Sequence, residues 1–307
     1  MSKIYIIILC LLFFACGDHD SQNETLPELL VRLDRPLPEN PPVLKILAIG
    51  NSFTDDAMAY LPDLLSAKGI TNVTLGKLSY PACSLADHWY FYTKNRSLYN
   101  YQKSVSNKWV TVRSSCTLEE GILNEPWDII VLQQVSQESG MYSRYQPHLI
   151  NLINAIYSDC SNKNVLFGWH MTWAYSRKST HNGFINYNNN QGYMYQQITG
   201  AVKAMVEDTK LTLIIPSGSA IQNLRNTSVN NPPLDLTRDG SHIDLGAGRY
   251  TLAYTWYETL IVPCIKPTVE NNTLRIKAGN VPVNDSNYQI CLDAVKKACN
   301  NKFAVTY

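Results

Sequence analysis

Three residue types that act together in nucleophilic hydrolysis stand near opposite ends of this chain. Ser52 follows an apolar segment in the order Gly50-Asn51-Ser52, and Asp239 precedes His242 by three positions. A serine hydroxyl becomes a good nucleophile when a base takes its proton, and an imidazole oriented by a carboxylate is such a base. An Asp three residues before a His can reach the ring Nδ1 from the same turn, which leaves Nε2 to face the serine. The spacing predicts this chemistry, provided that Ser52 and His242 meet in the fold.

Each of these parts also has an ordinary structural explanation. Ser52 could simply cap a helix, because Asn, Ser and Thr all favour that position. Asp239 could be one of several acids around a loop histidine, since Asp235 and Asp244 lie nearby. The functional interpretation therefore depends on the combination of a serine turn at one end and an Asp–His pair at the other.

Short apolar segments alternate with helical patterns along most of the chain. Residues 45–49 are almost continuously apolar, as expected for a strand covered on both faces. Further strands are predicted at residues 73–78, 127–132, 164–167 and 211–215. This alternation favours a parallel sheet with helices on both faces, in which ligands bind beyond the carboxyl ends of the strands.

A hairpin insertion is predicted near residues 92–115, where the alternation is interrupted. Residues 101–105 and 109–113 have the pattern of two paired strands. The following Thr117-Leu118-Glu119-Glu120 predicts a capping box that opens a short helix. Residues 43–307, including this insertion, are expected to form one domain.

The two end segments resemble the conserved blocks of the SGNH, or GDSL-like, hydrolases. That family has a Gly-Asp-Ser block after its first strand and an Asp-x-x-His block near its C-terminus, matched here by residues 50–52 and 239–242. The resemblance covers roughly residues 44–262 and is closest to an uncharacterised branch of bacterial lipoproteins. It implies a flavodoxin-like, three-layer α/β/α fold with a central parallel five-stranded sheet. It also implies a serine esterase with Ser52, His242 and Asp239 as catalytic residues and with no metal or organic cofactor.

The resemblance further implies where an oxyanion would be held. In the family, a Gly backbone N–H and an Asn side chain complete this site. The second block here has no Gly, so the backbone N–H of Ala82 or Cys83 is the expected donor. In the third block Gln137 takes the place of the Asn, and Gln133 is a rival for that role.

Other side chains have alternative interpretations that the sequence leaves open. His170 could line the cleft or be a hydrogen-bonded structural histidine, whereas His88 and His181 have no partner at a readable spacing. The aromatic side chains could stack on sugar rings or form small cores of their own; they are Trp89, Tyr90, Tyr92, Tyr99, Tyr101, Trp173 and Tyr175.

The N-terminal residues predict export and lipid anchoring. Residues 4–15 are apolar but short for a membrane span, which is typical of a signal peptide. Residues 1–16 are therefore predicted to form a signal peptide. The sequence Ala15-Cys16-Gly17 at its end resembles a bacterial lipobox in which Cys16 is lipidated; ordinary signal cleavage is the alternative. The polar, Pro-rich residues 17–42 are expected to form a flexible tether. The domain would then be periplasmic or displayed at the cell surface.

Composition limits the classes of partner. The 307 residues are 45% hydrophobic and 17% charged with a formal net charge of +1, so a core is expected and a nucleic-acid partner is not. The expected partner is a small-molecule or glycan ester. For the protein itself, non-catalytic glycan binding and acyl transfer to a sugar are the alternative functions. Six cysteines after Cys16 permit disulfides or buried thiols, and no zinc-like spacing is present: Cys83, Cys116, Cys160, Cys264, Cys291 and Cys299.

Overall fold

A seven-stranded sheet forms the centre of the molecule. The computed structural model describes residues 26–267 and 272–306. The strands are β1 (Leu44–Gly50), β2 (Val73–Ser79), β3 (Tyr99–Val105), β4 (Lys108–Cys116), β5 (Ile129–Leu132), β6 (Leu166–His170) and β7 (Ile214–Ile215). Their order across the sheet is β4-β3-β2-β1-β5-β6-β7.

Five of these strands are parallel neighbours in the order β2-β1-β5-β6-β7. This is the order of flavodoxin-like sheets, so the predicted five-stranded parallel sheet is confirmed. The predicted hairpin is also present, but it extends the sheet to seven strands because β3 pairs antiparallel with β2 and β4 with β3. The hairpin satisfies backbone groups along the β2 edge that a five-stranded sheet would leave open.

Helices cover both faces of the sheet in two groups. The strands of the parallel part are almost fully buried between them. Helices α1, α2, α7, α8 and α10 contact one another in one group, and α3, α4 and α5 in the other. The helices are α1 (Ser52–Met58), α2 (Leu61–Ala67), α3 (Leu85–Thr93), α4 (Leu118–Ile122), α5 (His148–Asp159), α6 (Gln191–Thr209), α7 (Ser217–Arg225), α8 (Ala247–Trp256), α9 (Val262–Ile265) and α10 (Tyr288–Asn300).

Local sequence signals set several helix boundaries. The predicted capping box is present at the start of α4, where Thr117 and Glu120 each accept the other's backbone N–H. Pro62 lies in the first turn of α2, so the helical pattern after Ser52 is divided into two helices at this point. Gly69 follows α2 with φ +67°, the left-handed conformation that glycine adopts without strain.

Residues 26–42 pack on the domain, although they were expected to be part of a flexible tether. Val31 and Leu33 are buried, and the Asn40 N–H donates to the Cys264 carbonyl at 2.8 Å. Burial of these apolar side chains holds the segment against the fold, so the tether prediction is wrong for this stretch. The signal segment and Cys16 lie outside the described residues.

The described cysteines are free thiols, and five of the six are buried. They fit the interpretation as small apolar core residues. Within residues 26–267 and 272–306, no helix combines the length and the apolar character needed to cross a bilayer.

Candidate active site

Ser52 stands at the carboxyl end of the central strand β1 and is the first residue of α1. The side chain of Asn51 accepts the Phe53 N–H at 3.0 Å, which caps the helix and turns the chain sharply after the strand. A Cβ at Gly50 would lie 2.2 Å from Thr54 Oγ1, so the turn tolerates only glycine there. The local sequence thus presents a half-buried serine at the edge where parallel sheets bind ligands.

Tertiary structure places His242 between Ser52 and Asp239. The Ser52 Oγ lies 2.9 Å from His242 Nε2, and Asp239 Oδ2 lies 2.6 Å from His242 Nδ1. Because a carboxylate only accepts hydrogen bonds, Nδ1 carries the proton and Nε2 accepts from the serine hydroxyl. The three side chains therefore form a continuous series from nucleophile to base to carboxylate, the arrangement that activates a serine.

Asp239 remains ionised in this arrangement. Partial burial raises its pKa, but backbone N–H bonds from Ser241 and His242 and the contact with the imidazole lower it further, to about 2. The two N–H bonds are 2.9 and 2.7 Å long and both reach Oδ1, which leaves Oδ2 for the imidazole. The carboxylate is thus held in place by its own turn before it orients the base.

A small cavity opens beside Ser52 and His242. It has a volume of about 240 Å³ and its apolar lining includes Phe53, Pro81 and Val135. This is below the range of about 300–1,000 Å³ that is typical for drug-sized ligands. The space directly next to the serine is therefore small.

An aromatic stack supports both halves of the site from below. Trp173 is fully buried and stacks on Phe53 with ring centroids 4.2 Å apart, and its indole N–H donates to the Ser241 carbonyl at 2.9 Å. Phe53 in turn lies 5.7 Å from the His242 ring. The role of Trp173 was left open by the sequence. In the structure it joins the serine turn, residues 50–53, to the histidine turn, residues 239–242.

The backbone N–H of Ala82 has no acceptor among the described residues, whereas that of Cys83 is used within its own turn. Ala82 lines the cavity, and the Cys83 N–H donates to the Tyr80 carbonyl at 3.3 Å. In the described structure neither the Ser52 nor the Ala82 backbone N–H donates to a protein acceptor. Ala82 has φ +54°, the left-handed region where glycine is favoured. The chain therefore retains the conformation that a Gly would adopt here, with an Ala in its place.

The two candidate glutamines occupy different environments. Gln137 lines the cavity, and its amide nitrogen has no acceptor among the described residues. Gln133 is buried beneath the serine turn, where its amide nitrogen donates to Asn51 Oδ1 at 2.8 Å. Its amide oxygen accepts from Thr54 Oγ1 at 2.6 Å and from His170 Nδ1 at 2.9 Å. Every polar atom of Gln133 is engaged, so only Gln137 is free to face a ligand.

The three other candidate histidines, His88, His170 and His181, differ in their surroundings. His170 and His88 are both buried, and burial lowers their pKa to about 3 and about 4 respectively, so both rings are neutral. His181 lines the cavity and accepts the Gly183 N–H on Nδ1 at 3.0 Å, which places a proton on Nε2. Burial, followed by electrostatic interaction with His242, lowers the pKa of His181. No spacing signal in the sequence could have linked His181 to this site.

The aromatic side chains of α3 pack mainly on one another. Phe91 contacts the rings of Tyr80 and Tyr99, and Trp89 stacks on Tyr92 with centroids 5.9 Å apart. Tyr90 is the most exposed member of the group. These contacts fit the interpretation that the segment has a small core of its own.

Comparison with known proteins identifies the family. A family model described as "Domain of unknown function (DUF4886)" matches residues 45–301. This chain belongs to the DUF4886 family. No curated protein matches it.

Solved structures similar to this DUF4886 chain include one of the same family. A DUF4886 family protein from Bacteroides uniformis ATCC 8492 is 35% identical, with a TM-score of 0.75 over 86% of this chain and 97% of that one. Axe2, an acetylxylan esterase from Geobacillus stearothermophilus, is 14% identical with a TM-score of 0.48, over 74% of this chain and 97% of that one. The acetyl xylan esterase AlAXEase is also 14% identical, with a TM-score of 0.46, over 71% of this chain and 100% of that one.

A larger cavity in the DUF4886 domain lies away from the serine. It has a volume of about 500 Å³ and is lined by side chains of α8 and α10, including Tyr254 and Leu292. Its lining includes no serine, cysteine or histidine, so the smaller cavity at Ser52 has the chemistry of an active site although it is not the largest. No cluster of metal-ligating side chains occurs in the part of the chain that the structure describes.

Proposed function

We propose that this DUF4886 protein is an SGNH-type serine esterase or acyl hydrolase. The observation that carries the proposal is the series of hydrogen bonds from Ser52 through His242 to Asp239 beside an open cavity. A serine that merely caps a helix would have no need of a base at 2.9 Å, and the cap of α1 is already provided by Asn51. The support for this proposal therefore comes from the site rather than from the fold, which hosts many activities.

The proposed reaction begins with attack of the Ser52 oxygen on an ester carbonyl carbon. As the new C–O bond forms, His242 Nε2 takes the hydroxyl proton, and Asp239 stabilises the resulting imidazolium. The tetrahedral intermediate collapses when the bond to the alkoxide breaks, and His242 returns the proton to this leaving group. A water molecule then attacks the acyl-enzyme by the same steps in reverse, which releases the acid and restores Ser52. This sequence requires no metal or organic cofactor.

Three donors are proposed to hold the oxyanion. They are the backbone N–H groups of Ser52 and Ala82 and the side-chain amide of Gln137. All three residues line the cavity, and none of these donors is used by another protein group among the described residues. Unused donors in a partly desolvated site stabilise charge that develops only in the transition state.

The proposed substrate is a short acyl ester, with an acetyl group on a carbohydrate as the first candidate. The small cavity beside Ser52 supports the short acyl group, while the carbohydrate rests on the resemblance to SGNH hydrolases and on the predicted export. Lipid anchoring through Cys16 and a location in the periplasm or at the cell surface remain predictions from the sequence. Non-catalytic glycan binding on the same fold is the competing function that the experiment below separates.

The purified protein is expected to hydrolyse p-nitrophenyl acetate and to react with a fluorophosphonate probe at Ser52. The probe reacts only with a serine whose hydroxyl is activated by a neighbouring base. Peptide mass spectrometry should place the adduct on the peptide that contains Ser52. Absence of both turnover and adduct, together with retention of the protein on an acetylated polysaccharide, would favour glycan binding instead.

Replacing Gln137 with Leu is expected to lower kcat by about 10²–10³-fold with little change in KM, because one oxyanion donor is lost. Steady-state kinetics with p-nitrophenyl acetate measure both constants. Gln196→Leu on the exposed face of α6 is the matched control and should behave as wild type.

The Gln133→Leu variant should show a different pattern. It leaves the Thr54 hydroxyl and the His170 N–H without their buried acceptor, which costs about 1–3 kcal/mol of unfolding free energy for each group. A thermal or denaturant unfolding curve would detect that loss.

The kinetics of the Gln137→Leu variant can also contradict the proposed role of Gln137. If this variant raised KM and left kcat unchanged, the Gln137 side chain would bind substrate without holding the oxyanion.

A further inference from the structure

A buried carboxylate outside the proposed reaction ties the histidine turn to the nucleophile helix. Asp56 lies on α1, one helical turn after Ser52, and its side chain is only 1% exposed. Its two oxygens accept hydrogen bonds from a segment of the chain that is distant in sequence. A buried carboxylate is tolerated only when its lone pairs are filled by charged or N–H partners, so the contact is specific.

The bonds to Asp56 come from both sides of the turn that carries the imidazole. The Arg238 guanidinium Nη1 donates to Oδ1 and Oδ2 at 3.0 and 2.9 Å, and the Ile243 N–H donates to Oδ2 at 3.2 Å. Arg238 directly precedes the Asp239–His242 turn and Ile243 directly follows it. The Arg238 N–H also donates to the His242 carbonyl at 2.9 Å, which closes the turn.

A second arginine contacts the same carboxylate from a different element. Arg249 on α8 donates through Nε and Nη2 to Asp56 Oδ1 at 2.9 and 2.6 Å. It balances the buried charge but is not part of the histidine turn. Both arginines bind Asp56, but Arg238 connects it to the histidine turn and Arg249 connects it to α8. Arg249 is therefore a matched control for Arg238.

We infer that Asp56 and Arg238 are positioning residues that set the distance between Ser52 and His242, an inference that rests on the proposed function. Asp56 is rigidly spaced from Ser52 by the helix, and Arg238 and Ile243 fix both ends of the turn against it. Neither Asp56 nor Arg238 lines the cavity. A shift of about 1 Å in a reacting group can cost about 10²-fold in rate, so this ion pair acts on catalysis without contact with substrate.

Comparison of Arg238→Gln with Arg249→Gln tests the inference. Arg238→Gln should lower kcat by about 10²-fold with KM unchanged, while Arg249→Gln should keep kcat within about threefold of wild type. Both variants should lower the melting temperature, since each removes a partner of the same buried charge. Arg238→Lys keeps the positive charge and should recover part of the lost kcat.

Equal kcat values in the two glutamine variants would overturn the inference and leave a contact that serves stability alone. Amide hydrogen exchange of residues 237–243 provides a readout that needs no activity. These amides should exchange faster in Arg238→Gln than in Arg249→Gln, and equal rates would also overturn it. If the wild type hydrolysed no ester, the proposed function would fail, and the exchange result would still decide whether this pair fixes the turn.

Discussion

Replacement of Ser52 by Ala is expected to lower kcat for ester hydrolysis by about 10⁵–10⁶-fold. The substitution removes the protein group that forms a bond to the acyl carbon in the proposed reaction. His242→Ala should cause a loss of similar size. It removes the base that lies 2.9 Å from the Ser52 hydroxyl, and a serine hydroxyl that keeps its proton is a poor nucleophile. The double variant should be no worse than either single variant, since the two residues act as one unit.

Initial rates with p-nitrophenyl acetate measure this loss, and the fluorophosphonate adduct should disappear in both variants. Ser66→Ala on the exposed side of α2 is a matched control that should keep wild-type kcat. Circular dichroism and melting curves should show that Ser52→Ala remains folded, because Asn51 caps the helix independently of the serine. Turnover that survives both Ser52→Ala and His242→Ala would show that hydrolysis occurs elsewhere.

Asp239→Asn is expected to lower kcat by about 10⁴-fold while the overall geometry is retained. An amide can keep its oxygen on the N–H groups of Ser241 and His242, as Asp239 Oδ1 does now. Its NH₂ group would then face His242 Nδ1 and force the ring proton onto Nε2. A protonated Nε2 cannot accept the hydroxyl proton of Ser52, so the base is lost although the ring stays in place.

The pH dependence of stability provides a second check on Asp239. The pKa of this carboxylate is lowered to about 2, so its contribution to stability is complete above the ordinary pKa of about 3.9 and is lost as the pH falls through about 2. The Asn variant lacks this contribution, so the wild type should have the higher melting temperature at neutral pH, and the two melting temperatures should converge in strong acid.

For the effect of Asp239→Asn on kcat, the matched control is Asp293→Asn on the exposed face of α10. Near-normal kcat in Asp239→Asn would mean that the tautomer is set by another group.

Sequence pattern was sufficient for the parallel sheet and for the serine turn. Both depend on local physics: apolar runs of strand length, capping residues, and a glycine where a side chain would collide with its neighbours. The hairpin was found on the same basis, but its place at the sheet edge was not, because strand pairing joins residues that are far apart in the chain. The packing of residues 26–42 on the domain was not predictable from their polar, Pro-rich composition. Val31 and Leu33 are buried only because the folded domain provides a surface for them.

The local sequence could not decide between the candidate oxyanion donors. Ala82 and Cys83 are adjacent and similar in size, and only the backbone path, with φ +54° at Ala82, leaves one amide free and uses the other in a turn. Gln133 and Gln137 are chemically identical, and only the tertiary fold buries the first beneath Asn51 and leaves the second at the cavity.

By itself, the chain determined which side chains could act: a serine raised at a strand end, and an acid spaced three residues from an imidazole. Tertiary structure alone decided that they meet, since 190 positions separate Ser52 from His242. The physical reason lies in tertiary contacts between the two segments: Arg238 and the Ile243 N–H bind the buried Asp56 carboxylate, and Trp173 stacks on Phe53 while donating to the Ser241 carbonyl. No periodicity or spacing encodes a contact of that kind.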